Sequence, residues 1–206
     1  MKIAILGAGN VGGALAKGLE NAEHDVTLGV RNVSSDKVKR VTDQHPAIKA
    51  KSVPEAVRDA DVILLSLPID SVLDVAKQCG NLSGKVVIDA TNTVSQKPVP
   101  YANASEAFKA LTKCDDIAKC FNSTGFENME DPRYGEVAAD MFIAGDSEKA
   151  KRIATQFAKE IGFGECYDFG GDDKIPLLEQ FAMVWINLAI FQKVGRNIAF
   201  KILKRK

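Results

Sequence analysis

Six residues near the start of the chain, Gly7-Ala8-Gly9-Asn10-Val11-Gly12, have the spacing G-x-G-x-x-G. Glycines at this spacing suit phosphate binding by backbone rather than by side chains. The first permits a tight turn, the second lets a pyrophosphate approach the main chain, and the third lets a helix pack on a strand. The surroundings are those the reading requires. Ile3–Leu6 is a short apolar run, as in a buried parallel strand, and Val11, Ala14, Leu15, Gly18 and Leu19 recur at helical spacing over Asn10–Glu20. The helix start offers unpaired N–H groups and a partial positive charge to an anion. Gly7, Gly9, Asn10, Val11 and Gly12 are therefore expected to hold the pyrophosphate of a dinucleotide. The plainer reading is a glycine turn with no ligand.

A ribose 2′-OH is usually claimed by Asp or Glu about 20 residues past the motif, at the end of the second strand. Val30 stands there, and Arg31 follows. A carboxylate would repel a 2′-phosphate, whereas a guanidinium binds one through charge-assisted, often bidentate bonds. Arg31 and Asn32 thus favour NADP (NADPH) over NAD, with Ser34 and Lys37 as further partners; otherwise Arg31 is a solvated turn residue. In an open parallel sheet the ligand crosses the carboxyl ends of the strands. There the chain places Ser66, Leu67 and Pro68, then Ala90, Thr91 and Asn92, which are expected to line the ribose–nicotinamide side. Ser66 could instead be a buried hydroxyl bonded to backbone, and Asp89 reads as an anchor for the loop after its strand.

No acid–base group presents itself. His24 precedes the second strand and His45 the third, so a dehydrogenase with a histidine base is hard to build. Asn122, Ser123 and Thr124 follow the sixth strand and either position a nicotinamide or form a turn and helix-cap cluster. Lys193 and Asn197 form K-x-x-x-N, a spacing that shares one face of a helix. Dehydrogenases using such a pair carry a large helical domain after the sheet, and only a short segment follows Gly170 here. The pair reads as a solvated helix face.

The elements that must position these residues alternate strand and helix. Strands are expected at Ile3–Leu6, Asp25–Val30, Ile48–Lys51, Asp61–Leu67, Lys85–Ala90, Asp116–Phe121, Ala139–Ala144 and Glu165–Phe169. Helices are expected at Asn10–Glu20, Ser34–Thr42, Pro54–Asp59, Asp70–Cys79, Ser105–Thr112 and Ser147–Ile161, with Ser52 and Glu55 as a capping box. Val94–Asn103 and Asn122–Gly135 read as loops, and Asp173–Phe200 as helical and unusually apolar. The class is α/β: a Rossmann-type, doubly wound, mainly parallel sheet with a short C-terminal helical extension. Residues 1–170 form the NAD(P)-binding domain and residues 171–206 a helical segment for dimerisation and for one wall of the substrate cleft. Leu177, Leu178, Phe181, Ala182, Val184, Trp185, Leu188, Ala189 and Phe191 make that segment apolar most of the way round, which predicts a homodimer. The basic end, Lys201, Lys204, Arg205 and Lys206, reads as solvated.

Composition narrows the partners. The 206 residues carry 27 basic and 27 acidic side chains, so no basic field exists to attract nucleic acid or an anionic membrane. Cys79, Cys114, Cys120 and Cys166 form no CxxC pair, and no metal site is expected. Scattered cysteines and the lack of a signal-like start suggest a cytoplasmic protein. The longest apolar stretch, Phe181–Phe191, is eleven residues and too short to span a bilayer.

Gly7–Gly12, Gly29-Val30-Arg31-Asn32, Leu65-Ser66-Leu67-Pro68 and Val87-Ile88-Asp89-Ala90-Thr91-Asn92 together resemble the coenzyme F420-dependent NADP reductase family. The similarity continues through Lys119-Cys120-Phe121-Asn122-Ser123-Thr124, Asp140–Asp146 and Ile161-Gly162-Phe163, nearly the whole chain in order. The family commonly carries Ser-Arg-Arg after the second strand where this chain has Val30-Arg31-Asn32, leaving one clear phosphate-binding cation. The resemblance implies NADP(H) and direct hydride transfer to coenzyme F420 or a flavin-like acceptor, a small-molecule electron partner. Reduction of a small imine or keto substrate, or NADPH sensing without turnover, are the alternatives.

Overall fold

The computed structural model describes residues 1–93 and 96–205. Val94, Ser95 and Lys206 lie outside the described residues, and with them part of the expected loop Val94–Asn103 and the last cation of the tail. The strands are β1 (Lys2–Leu6), β2 (Asp25–Gly29), β3 (Lys49–Lys51), β4 (Val62–Leu65), β5 (Val86–Asp89), β6 (Asp116–Cys120), β7 (Arg133–Tyr134), β8 (Val137–Ala138), β9 (Met141–Ala144) and β10 (Cys166–Asp168). The α-helices are α1 (Asn10–Asn21), α2 (Asp36–Thr42), α3 (Val53–Arg58), α4 (Val72–Cys79), α5 (Ala104–Thr112), α6 (Phe126–Glu130), α7 (Glu148–Ile161) and α8 (Ile175–Ile186).

Eight strands form one sheet in the order β10-β9-β6-β5-β4-β1-β2-β3. Only the β6–β9 pair is antiparallel. This is the doubly wound sheet expected from the strand–helix alternation. Side chains alternate between its faces. Ile3, Ile5, Leu64, Ile88 and Cys120 join the core under α1, α2 and α7, while Ala4, Leu6, Ile63, Leu65 and Val87 join the core under α3, α4 and α5. Burial on both faces explains why these strands are continuous apolar runs. Phe108 and Phe157, fully buried on opposite faces, each contribute on the order of 2–3 kcal/mol.

Two short stretches differ from expectation. Within Asn122–Gly135 the chain forms α6 and starts the β7–β8 hairpin, which turns at Gly135 with φ +66°. A five-residue helix and two-residue strands are too short to show a period. Asp173–Phe200 is helical only in part. After α8 a wider π-type turn runs over Asn187–Phe191, and there the helix stops. Lys193 (φ 58°) and Gly195 (φ 100°) take the left-handed conformation that ends helices. Lys193 and Asn197 therefore do not share a helix face, and the K-x-x-x-N motif loses its geometric basis.

The tail beyond Phe191 folds back onto the sheet, while Lys201, Lys204 and Arg205 stay exposed as expected. Lys201 Nζ lies 2.7 Å from the buried Asp140 carboxylate, the Phe200 carbonyl accepts from Asp140 N at 2.9 Å, and Lys204 stands 5.1 Å over the Tyr167 ring. The Ile198 carbonyl accepts from Trp185 Nε1 and from Asn128 Nδ2, both at 2.7 Å. The helical run Asp172–Phe191 covers 20 residues and is long and apolar enough to cross a membrane by length and composition. That exceeds the eleven-residue stretch seen in the sequence. Its Ile175 and Leu178 pack against Phe142 and Ala144 of β9.

Candidate functional site

The glycine turn lies between the end of β1 and the start of α1. Gly7 has φ +109°, and a Cβ there would lie 2.2 Å from the Ser66 carbonyl oxygen. A Cβ on Gly12 would lie 2.2 Å from the Gly7 carbonyl oxygen. Those two glycines let β1, β4 and α1 pack. Gly9 differs, because nothing stands within 4 Å of where its Cβ would be. It is the N-cap of α1, no side chain caps that helix end, and its first turn holds no acid. The amides of Asn10, Val11 and Gly12 thus open onto free space. An uncapped helix start beside an open glycine is the cradle a pyrophosphate needs, so the residues present suit a dinucleotide.

Arg31 follows β2, is exposed, and has no salt bridge among the described residues. Asn32 Oδ1 accepts from Ser34 N at 2.9 Å and shapes the turn. A cleft runs from Gly9 and Asn10 along α1 and is lined by Lys17, Lys37 and Arg40. Sequence reasoning noted Lys37 and missed Arg40. The signal was available: Lys37 and Arg40 are three apart beside the buried Val38 and Val41, so they share one face of α2.

At the other end, β4 leads into half-buried Ser66 and Leu67 and exposed Pro68. Ala90 and Thr91 are buried. Thr91 N and Oγ1 both donate to Asp89 Oδ1, at 2.8 and 2.7 Å, so the Thr91 donors are spent inside the protein and its hydroxyl is not free for a ligand. Asp89 is the loop anchor it was expected to be. β6 ends at Phe121, which has φ 63°. A bulky residue there is a genuine outlier. It brings Asn122 across to Asn92. Asn92 Nδ2 donates to the Asn122 carbonyl at 2.7 Å, and Asn122 Nδ2 donates to Asn92 Oδ1 at 3.0 Å. Asn122 Oδ1 is buried with no hydrogen-bond partner among the described residues, an acceptor waiting for a donor. Ser123 is buried, and Thr124 Oγ1 accepts from Asn128 Nδ2 at 2.6 Å, which gives Thr124 a structural part in α6.

Beneath these residues lies a charged cluster that sequence reasoning missed. Lys119 on β6 is fully buried. Its Nζ is 2.9 Å from Asp89 Oδ2, 3.0 Å from Glu179 Oε1 on α8 and 2.8 Å from the Thr91 carbonyl. Ser105 Oγ donates to Asp89 Oδ2 at 2.7 Å, and Thr93 Oγ1 donates to Glu179. Burial works against the Asp89 carboxylate, but the bonds from Lys119, Ser105 and Thr91 outweigh it and hold the group below the ordinary carboxylate range. Burial likewise works against the Lys119 ammonium, and Asp89 with Glu179 outweighs it and holds the group above the usual lysine range. The available signal was a lysine inside the strand sequence Asp-Ile-Ala-Lys-Cys of a sheet covered on both faces, where any charged side chain needs a partner.

A doubly wound sheet with an open glycine turn over its first strand defines a Rossmann-type dinucleotide-binding protein. Residues 2–93 match the family model described as NADP oxidoreductase, coenzyme F420-dependent. The chain is 28% identical to an F420-dependent NADP reductase of Methanothermobacter marburgensis over 98% of each chain. It is 27% identical to one of Methanocaldococcus jannaschii over 94% of each. Among solved structures, a provisional F420-dependent NADP reductase from Arthrobacter sp. FB24 superposes with a TM-score of 0.86 at 24% identity, covering 99% of this chain and 100% of that one. The resemblance read from the motifs therefore holds: the chain is similar to F420-dependent NADP reductases over nearly its whole length.

Proposed function

We propose that the chain moves a hydride between NADP(H) and coenzyme F420. The observation that carries the nucleotide half is the open, uncapped start of α1 at Gly9, continuous with a cleft lined by Lys37 and Arg40. The names of the two methanogen relatives support the deazaflavin half. Nicotinamide and deazaflavin supply the hydride chemistry when bound, and the protein supplies alignment and exclusion of water. Backbone amides at Gly9, Asn10, Val11 and Gly12 hold the pyrophosphate, and Gly7 makes the turn. Arg31 and Asn32, with Lys37 and Arg40, hold the 2′-phosphate. Ser66, Leu67, Pro68, Ala90 and Asn92 border the ribose–nicotinamide side, and Asn122 Oδ1 accepts from the ligand there.

The test is NADPH oxidation measured against F420, free flavin, a quinone and small imine and keto substrates. Turnover with F420 well above the others supports the reading. Tight NADPH binding with no oxidation by any of them would instead support a sensor. Within this reading Arg31→Ala is expected to weaken NADPH by about 1–3 kcal/mol, the size of a hydrogen bond to a charged group, and to leave NADH little changed in parallel titrations.

The chain is also proposed to act as a homodimer joined through α8. The inward stripe of α8 and the π-type turn after it is Ile175, Leu178, Ala182, Trp185 and Ala189, while Leu177, Val184, Leu188 and Phe191 form a second apolar stripe that stays exposed in one copy. A mass in solution near twice 22.2 kDa is expected. Leu188→Glu should shift it to one copy, and a wild-type mass of a single chain counts against the dimer.

A further inference from the structure

The cluster beneath β5 and β6 holds one cation, Lys119, and two carboxylates, Asp89 and Glu179. Its net charge is one negative. The two acids are not alike. Asp89 is sealed, and its oxygens accept from Lys119, Ser105 and Thr91. Among the described residues Glu179 bonds only Lys119 and the Thr93 hydroxyl, and its side chain is 12% exposed. It borders a cleft shared with Asn92, Thr93, Asn103 and Gln180. Asn92 in turn holds Asn122, whose buried Oδ1 has no hydrogen-bond partner among the described residues. The excess charge thus sits on the one acid that opens to the carboxyl ends of the strands, where such a sheet takes its ligand. The one cation lining that cleft among the described residues is Lys97, which is exposed and screened by water.

We propose that Glu179 selects the redox state of the bound nucleotide: its uncompensated charge favours the oxidised, cationic nicotinamide over the neutral reduced one. The proposal rests on the NADP(H) reading above. Contacts to the phosphates are common to both redox forms and cancel in the ratio of their affinities, so the ratio reports charge near the ring alone. Tighter binding of the oxidised form makes the bound reduced form the stronger hydride donor. The hydride leaves with both electrons to the deazaflavin, and the nicotinamide left behind carries the positive charge. The protein is then built to run toward NADPH oxidation.

The test titrates the full chain with NADP+ and NADPH separately by calorimetry, for wild type, Glu179→Gln and Gln180→Glu. Glu179→Gln keeps the shape and removes the charge. It is expected to weaken NADP+ about fivefold or more and to move NADPH less than about twofold, as suits a unit charge acting through a partly buried environment. Gln180→Glu adds a charge at an exposed position of the same cleft, without touching the cluster. It should shift the ratio the other way by about twofold, a smaller effect because water screens it. Equal weakening of both nucleotides by Glu179→Gln marks a merely structural role and overturns the proposal. So does an unchanged ratio in both variants. Wild type that binds neither nucleotide overturns the NADP(H) reading itself, an outcome distinct from either.

Discussion

Replacing Lys119 with methionine is expected to cost about 3–5 kcal/mol of folding stability, the range for removing one partner of a buried ion pair. The reason is what remains. Asp89 is fully buried and Glu179 nearly so, and without the ammonium they become two neighbouring carboxylates with no cation. Methionine fills most of the lysine volume, so the loss reports charge rather than a cavity. Urea denaturation at pH 7 measures it. Adding Asp89→Asn to Lys119→Met should recover part of the loss, because the unpaired charge is then halved; contacting residues of this kind couple strongly. A loss below about 1 kcal/mol for Lys119→Met, the level of an exposed pair, would be incompatible with the cluster as described. The pH dependence has a definite sign. The Asp89 carboxyl is held low in the folded state, so its contribution is complete above about pH 4 and fades as pH falls through the folded value. The Lys119 ammonium is held high, so its contribution is complete below about pH 10 and is lost as pH rises through the folded value. Between those limits the cluster is a constant support.

The glycine turn gives the second large effect, as a contrast between neighbours. Gly7→Ala forces a side chain into φ +109° with its Cβ 2.2 Å from the Ser66 carbonyl oxygen. Backbone strain of about 1–3 kcal/mol adds to a clash that only movement of β1 or β4 relieves, itself about 1–3 kcal/mol. The variant is expected to melt well below wild type and to lose NADPH binding. Gly9→Ala meets nothing within 4 Å. Its stability should change by no more than about 1 kcal/mol, the scale of a cap substitution, while its methyl group fills the space kept for the pyrophosphate. NADPH binding is expected to fall by tenfold or more. Calorimetric melting and nucleotide titration on both variants separate the roles. A Gly9→Ala protein that binds NADPH like wild type would show that no phosphate approaches there.

Much of this molecule is legible in its residues. The glycine turn was readable because φ at Gly7 and the close approach at Gly12 depend on a few neighbours. The sheet was readable because burial on both faces makes strands such as Val62–Leu65 uniformly apolar. Caps were readable for the same local reason: Ser147 Oγ accepts from Ala150 N at 3.1 Å, and Glu55 accepts from Ser52 N at 3.2 Å. Where apolar spacing continued past a local stop, the reading ran on. Val194, Ile198 and Phe200 prolonged the helical pattern, although Gly195 was the punctuation that ended it.

What the residues could not disclose are the partnerships between distant segments. Cover on both faces of the sheet buries Lys119, but only the β5–β6 register sets it beside Asp89. Only the packing of α8 on β9 brings Glu179 to the same point, sixty residues further along the chain. The return of the tail to Asp140 and the reach of Asn122 to Asn92 are of this kind too. By itself the sequence determined an α/β sheet with a dinucleotide turn, because backbone conformation and burial period are local properties. The tertiary structure alone decided where the buried charge of that sheet faces, because charges act across space and their neighbours there come from strands and helices far apart in the chain.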